Sequence, residues 1–215
     1  MTAPLIEIAG QHLRLLPQKA IFWEEQEMLL VADLHLGKAT HFRRHGIPIS
    51  PQVLETDLQR LEDLILNWPV QHLMLLGDLF HSHYNAECEV FGEWLQQIGL
   101  ACSLVHGNHD LLEPSIYTGW GMQLLGEDHP LHPFWLTHEP KSKFQANEYV
   151  LCGHLHPGVR LVGKGRQSLR LPCFWVGQQQ LVLPAFGRFT GLAIVQPKEE
   201  DRMFAIAEGK VLEVS

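Results

Sequence analysis

An α/β fold of two textures, a parallel sheet in the first half and a mostly β second half completing one sandwich, is predicted by three observations. Between residues 28 and 105, apolar runs of strand length alternate with amphipathic stretches of helix length, and such alternation implies parallel strands joined by helical crossovers. After residue 120 the chain breaks into short strand-like segments separated by Gly and Pro, the punctuation of β structure. In both halves, apolar runs stop abruptly at Asp, Asn or His, so polar groups gather where strands end, the place at which open α/β sheets take up ligands.

The elements follow in order. Short strands are expected at Leu5 to Ile8, Leu13 to Leu15 and Ala20 to Trp23, then the run Met28 to Ala32 that halts at Asp33. Ser50-Pro51 is a helix start, a capping hydroxyl with proline in the first turn. Leu54, Leu58, Leu61, Ile65 and Trp68 then share one helix face as far as Pro69. A strand at His72 to Leu76 precedes a helix with Val90, Phe91, Trp94, Leu95 and Ile98 on one side, and a strand at Ala101 to Val105 follows. Downstream strands are expected at Phe134 to Thr137, Tyr149 to Cys152, Val159 to Val162, Leu169 to Val176, Gln180 to Leu183, Leu192 to Val195 and Met203 to Ala207. No repeat, low-complexity tract or linker divides the chain, so residues 1–215 read as a single domain.

Composition narrows the function. With 215 residues, 46% of them hydrophobic, the chain can bury one full core. A formal charge of −8 argues against a broadly basic surface tracking many phosphates. It leaves a phosphate substrate open, because carboxylates that ligate cations count as negative in the sum while the loaded site does not. Cys88, Cys102, Cys152 and Cys173 are widely spaced without a CxxC, which suggests four buried free thiols. No apolar run approaches a membrane span, and the first residues lack the order of a secretory signal, so a cytosolic protein without membrane partners is expected.

Five polar clusters carry the chemistry: Asp33-Leu34-His35, Gly77-Asp78, Gly107-Asn108-His109-Asp110, Thr137-His138 and Gly153-His154-Leu155-His156. In an extended segment side chains alternate, so Asp33 and His35 are expected on one side, and His154 and His156 likewise. Imidazole and carboxylate donors together suit manganese, iron, zinc or nickel, with manganese preferred here. Two Asp, one Asn and four His exceed what one four-coordinate ion can use, so two divalent ions are implied. Such a pair generates a nucleophile and neutralises phosphoryl oxygens during in-line displacement.

The order DLH, GDLFH, GNHD, H, GHLH across residues 33 to 156 resembles the calcineurin-like metallophosphoesterase superfamily. The resemblance implies a two-sheet β-sandwich flanked by helices, the four-layer architecture of that superfamily. It also implies one ion held by Asp33, His35, Asp78 and His156 and another by Asp78, Asn108, His138 and His154, with Asp78 bridging. His109 would then be the catalytic residue that protonates the leaving oxygen, a task suited to imidazole. DLHLGKA near the start and LPAFGRFTG at 183 to 191 resemble the small bacterial ligase-associated DNA damage response endonucleases, and GDLFH is similar to the motif of longer double-strand-break repair nucleases. Serine/threonine phosphatases read GDxxDRG where this chain has Gly77-Asp78-Leu79-Phe80-His81-Ser82, and lipid A precursor pyrophosphatases carry arginine at the position of His109. Neither branch fits.

Lys38, Arg43 and Arg44 follow the first ligand pair and would clamp a second phosphate or a nucleic-acid backbone, or else form a solvated loop. Arg188, in the Pro184 to Arg188 segment, is expected to face substrate. His81 and Asp110 are expected to orient ligands rather than bind a cation. The favoured reading is a hydrolase, a phosphodiesterase or endonuclease acting on DNA in repair, with repair proteins including a DNA ligase as partners. A phosphodiesterase or phosphatase acting on nucleotides or other small phosphates is the alternative, and a non-catalytic scaffold of the same fold is the weaker one.

Overall fold

A computed structural model describes residues 3–38, 53–81, 83–163, 165, 167–188 and 190–214. A first sheet runs, in spatial order, β1 (Leu5–Ile8), β2 (Gln11–Leu16), β3 (Ala20–Trp23), β4 (Met28–Val31), β5 (His72–Leu76), β6 (Ala101–Val105) and β7 (Gln123–Leu125). β1 to β4 pair antiparallel, and from β4 to β7 the strands are parallel. The parallel part needs crossovers. α1 (Val53–Asn67) lies between β4 and β5, α2 (Ala86–Ile98) between β5 and β6, and the short α3 (Pro114–Gly119) between β6 and β7. Asn85 caps α2 by accepting the N–H of Glu87 at 2.8 Å, and Gly99, with φ of 65°, ends it in the left-handed conformation that glycine adopts without strain.

The second sheet contains β8 (Asp128–Leu131), β9 (Phe134–Thr137), β10 (Tyr149–Cys152), β11 (Pro157–Val162), β12 (Ser168–Val176), β13 (Gln180–Val182), β14 (Ala193–Ile194), β15 (Arg202–Ala207) and β16 (Lys210–Glu213). Its order is β14-β11-β12-β13-β10-β9-β8, with β15 on β12 and β16 on β15. The nine residues of β12 serve two neighbourhoods: Ser168 to Pro172 pair with β11, and Cys173 to Val176 pair with β15.

Strand alternation sorts the core into layers. Met28, Leu30, Met74, Leu76 and Val105 of the first sheet meet Phe134, Leu136, Leu151, Phe174, Leu181 and Phe204 of the second. Their sequence neighbours Leu29, Val31, Leu73, Leu75, Cys102 and Leu104 point the other way, onto Leu54, Leu58, Leu61 and Leu64 of α1 and Phe91 and Leu95 of α2. Strands covered on both faces are apolar throughout, which is why β4 and β5 read as unbroken hydrophobic runs. The described helices pack in the core on the outer face of the first sheet; the outer side of the second carries small clusters around Val150, Cys152 and Val182 and around Cys173, Met203 and Ala205. The mixed two-sheet fold with helices is the one the sequence predicts.

All four cysteines are free and buried, and burial pushes the Cys102 and Cys173 thiols up to about 12. Among the described residues, no helix is long and apolar enough to cross a membrane. Leu61 of α1 is fully buried while Leu66, five residues on, is 75% exposed. Leu61→Ala is expected to lower stability by about 2–5 kcal/mol and Leu66→Ala to change it by less than about 0.5 kcal/mol, as read from urea unfolding curves.

Candidate metal centre

The loops that leave β4, β5, β6, β9 and β10 converge at one end of the sandwich. The segment after β4 runs beside the segment after β5: Asp33 N–H donates to Gly77 O at 3.2 Å, His35 N–H to Asp78 O at 2.9 Å and Leu36 N–H to Leu79 O at 2.9 Å, and His81 N–H returns to Leu36 O at 2.9 Å. The second sheet is tied to these loops. Phe186 N–H donates to Ala32 O at 2.8 Å and His154 N–H to Asp33 Oδ2 at 2.8 Å, while the bond from Gly153 N–H to His138 O at 3.0 Å holds the two second-sheet loops together.

The backbone conformation differs from the extended one the sequence suggests. Asp33, His35, Asp78, His154 and His156 have φ between 47° and 69°, the left-handed region that non-glycine residues enter at a cost. Among the described residues, half of the ten non-glycine residues with positive φ are thus candidate ligands, so backbone strain is concentrated here. Each pair is aimed by tight turns just beyond its strand, not by strand alternation. The glycines that precede three clusters have a packing reason. A Cβ on Gly77 would collide with the His138 ring, one on Gly107 with the backbone N of Asp78, and one on Gly153 with the Asp33 carboxylate.

Two groups result. Asp33, His35 and His156 form one, and Asp78, His138 and His154 the other; within each, the ligand atoms lie within 4.8 Å of one another. Asp78 stands between them, with Oδ2 3.6 Å from His35 Nε2 and Oδ1 3.3 Å from His138 Nε2. Asn108 Oδ1 lies 3.1 Å from His138 Nε2, which in turn lies 3.1 Å from His154 Nδ1. Asp33, His35, Asp78 and His138 are all buried.

The donor chemistry fits bound cations. Nδ1 of His138 lies 2.9 Å from the Leu76 carbonyl, an acceptor only, so Nδ1 carries the proton and Nε2 is left facing Asp78 Oδ1, Asn108 Oδ1 and His154 Nδ1. Burial would lower the pKa of His138, but the carboxylates of Asp78 and Asp33 outweigh it and raise it to about 9. The site therefore demands positive charge at this nitrogen, which a cation supplies as well as a proton does. Burial likewise works to raise the Asp78 carboxyl, and His138 with the N–H of His109 instead draws it down to about 2. His35 is held neutral by burial, its pKa lowered to about 3, the state in which imidazole binds a metal. In the other group, Asp33 Oδ1 is buried, has no hydrogen-bond partner among the described residues, and lies 3.4 Å from His156 Nε2 and 3.9 Å from His35 Nε2. A cation between the three would satisfy it.

The remaining sequence-predicted residues fall around this centre. Asp110 is buried and accepts the N–H groups of Asp78 at 2.9 Å, Leu79 at 2.9 Å and Gly107 at 3.0 Å; burial raises its pKa to about 6 against the pull of these donors. It fixes two ligand loops at once. His109 donates its backbone N–H to Asp78 Oδ1 at 2.9 Å, and its ring lies edge-to-face with that of His35, centroids 5.6 Å apart, and tilted against that of His81 at 5.4 Å. Lys38 and the exposed Arg188 line a small cleft with His35. Arg43 and Arg44 lie outside the described residues.

Sequence reasoning missed Asp57 and Arg60. Asp57 is buried on the apolar face of α1, between Leu54 and Leu61, and a charged residue inside such a stripe is the signal that could have revealed it. Arg60 lies 3.3 Å from Asp57, stacks 3.9 Å over the Phe186 ring and donates to the Phe186 carbonyl. Asp57 in turn accepts the N–H of Arg188 at 3.4 Å. The pair thereby anchors the segment that borders the Asp33 loop.

Two sheets whose strand ends meet to place paired His and Asp clusters side by side make up the build of a metallophosphoesterase. A solved structure of the Pseudomonas putida nuclease MPE matches 99% of this chain and 100% of its own, with a TM-score of 0.84 and 35% identity. Looser matches are a protein of Aquifex aeolicus (16% identity, TM-score 0.42, 60% of this chain and 78% of that one) and a predicted phosphoesterase of Streptococcus pneumoniae (13%, 0.34, 87% and 95%). Comparison with models of known families gives no match, and comparison with curated proteins gives none. The chain belongs to the metallophosphoesterase family that the Pseudomonas nuclease represents.

Asp110→Ala would leave three backbone N–H groups unpaired. It is expected to cost at least about 2 kcal/mol of stability and to weaken metal uptake, measured by chemical unfolding and by metal analysis after dialysis.

Proposed function

We propose that the chain is a divalent-metal-dependent phosphodiesterase that cleaves DNA, an endonuclease serving DNA repair. The observation that carries this reading is the 35% identity over 99% of the chain with a nuclease, joined to two complete ligand groups. Asp33, His35, Asp78 and His156 would hold one ion, and Asp78, Asn108, His138 and His154 the other, with Asp78 shared. The donor set suits manganese and is compatible with iron, zinc or nickel. Bound there, the ions would supply Lewis acidity toward the phosphoryl group and activate the attacking water.

The chain's own residues do the rest. Asp110 and the glycines hold the ligand loops in register. His109, kept beside the centre by its N–H bond to Asp78, delivers a proton to the leaving oxygen. Lys38 and Arg188, beside His35, offer charge-assisted hydrogen bonds to phosphate oxygens. In this reading the protein works in the cytoplasm with DNA-repair proteins, a DNA ligase among them.

A second reading, a phosphodiesterase or phosphatase for nucleotides and other small phosphates, is favoured by one feature. A cleft of about 320 Å³ adjoins Asn108 and His138 and is lined by Glu127, Asp128, Glu139 and Lys141. It has the size of a small-molecule site, and its acidic wall disfavours a long polyanion on that side. The non-catalytic scaffold finds no support in a site whose ligand groups are complete.

Manganese-loaded protein assayed on single-stranded, nicked and supercoiled DNA, an aryl phosphodiester and nucleotides separates the readings. DNA cleavage supports the nuclease; brisk nucleotide hydrolysis with intact DNA would reject it. Asp78→Ala is expected to lose metal and activity together. His109→Ala should retain metal, as measured by elemental analysis, while turnover falls about 10²–10⁴-fold, with a smaller loss for nitrophenolate, which leaves without a proton. Equal metal loss in the two variants would refute the role given to His109.

A further inference from the structure

The charge of this chain is laid out unevenly. Residues 149–198 contain Arg160, Lys164, Arg166, Arg170, Arg188 and Lys198 and not one Asp or Glu, so all 24 acidic residues lie elsewhere with the other ten cations. This stretch starts in β10, passes through His154 and His156, and continues directly into the β11–β12 hairpin.

Pairing in the hairpin sets Arg160 directly opposite Arg170. Opposed residues of an antiparallel pair project from the same face, with Cβ atoms about 5 Å apart. Which face this is follows from burial. The alternate positions Val159 and Leu171 pack into the small core with Cys173, Met203 and Ala205, so the arginines emerge on the opposite side. Both are exposed, and among the described residues neither has an acidic partner. Like charges directly opposite destabilise a sheet, and here no counter-charge relieves them. Arginine is also the cation whose planar fork matches phosphate oxygens two at a time. Val162, on the arginine face by alternation, is 73% exposed, giving apolar surface beside the charge. Arg160 stands four residues beyond His156, a span of at most about 13 Å along an extended strand, which a nucleic-acid strand covers in a few nucleotides.

We infer that the β11–β12 hairpin, through Arg160 and Arg170, is a docking surface for the phosphodiester backbone of a nucleic-acid strand whose scissile phosphate lies at the metal centre. This rests on the reading of that centre as a nuclease site.

The test uses the full chain with Arg160→Gln and Arg170→Gln combined, and a charge-matched control with Lys143→Gln and Lys210→Gln, both exposed cations elsewhere. Thermal melting checks that each variant folds. Binding of a labelled single-stranded oligonucleotide to metal-free protein is followed by fluorescence anisotropy across a salt series. The arginine variant is expected to bind at least about tenfold more weakly, with a salt slope shallower by about 1.4 (about 0.7 per phosphate contact); the control should match the parent. Manganese-dependent cleavage of DNA should fall with binding, while hydrolysis of an aryl phosphodiester, which has no flanking phosphates, stays within twofold. If the parent cleaves DNA and the arginine variant binds it with unchanged affinity and slope, the docking surface is refuted and the nuclease reading stands. Equal losses on DNA and on the aryl ester would refute it too, placing the arginines at the reacting phosphate. A parent that hydrolyses the aryl ester but neither binds nor cleaves DNA or RNA removes the nuclease reading, and the inference with it.

Discussion

Asp33 and Asp78 are 0% and 2% exposed at the ends of adjacent parallel strands. Removing an unpaired carboxylate from water costs several kcal/mol, so two of them side by side are tolerable only where positive charge is delivered between them. The neighbourhood is organised for that delivery. His138, fixed through its Nδ1 contact to Leu76, turns Nε2 to Asp78 Oδ1 at 3.3 Å, where the carboxylates favour positive charge. His35, held neutral by burial, faces both carboxylates. Bringing these groups together requires loops from two sheets to approach closer than side chains allow, and Gly77, Gly107 and Gly153 each open that space toward a ligand of another cluster. The left-handed turns at five candidate ligands follow from the same need. Alternation along a strand cannot place neighbouring side chains around one point as tightly as a turn can.

The strain is held from two directions. On one side Asp110 takes three backbone N–H groups from the loops after β5 and β6, so those loops cannot separate without exposing a buried carboxylate and three donors together. On the other, Asp57 and Arg60 of α1 grip the Phe186 to Arg188 segment, and that segment closes on the Asp33 loop through Phe186 and Gly187. Burial raises the pKa of Asp57 in spite of Arg60 and lowers that of Arg60 in spite of Asp57. A pair under such desolvation persists because its remaining hydrogen bonds go to the loop it positions. The helical layer thus reaches the site through polar contacts as well as through the apolar core.

Much of this was legible in the sequence. Strands buried on both faces announce themselves as continuous apolar runs, and β4, β5 and β6 were placed within a residue of their ends. The ligand clusters were legible because glycine, carboxylate and imidazole recur where those runs stop. Among the strands and α-helices described, four escaped for physical reasons. α3 has six residues, too few to show a helical period. β7 has only three residues, β8 carries Pro130 and Asp128, and β16 is a single apolar pair between Lys210 and Glu213; β8 and β16 sit at the margins of the second sheet, where the demand for hydrophobicity relaxes. The α1 stripe was drawn through Ile65, whereas Leu64 is the fully packed residue and Ile65 lies at the rim of that core. Asp57 and Arg60 escaped because a pattern of apolar positions is blind to a charged pair that substitutes for one of them.

Net charge was the least informative quantity, and the reason is the range of electrostatics in salt water. At physiological ionic strength the Debye length is about 8 Å, so a phosphate near the metal centre responds to the few charges around it and hardly to the −8 of the whole chain. Those local charges are asymmetric. Glu127, Asp128 and Glu139 border the cleft beside Asn108 and His138, where Lys141 is already committed to Asp128 and Glu148. Lys38 and Arg188 border His35, and the hairpin that continues from His156 adds Arg160 and Arg170 without any acid in sequence from 149 to 198. The cleft beside the second ligand group is therefore the more acidic of the two, while beside the first Lys38 and Arg188 are matched by Asp57 and Glu87. An anion is accordingly repelled more strongly from the cleft beside Asn108 and His138 than from the one beside His35, whatever the charge of the whole chain.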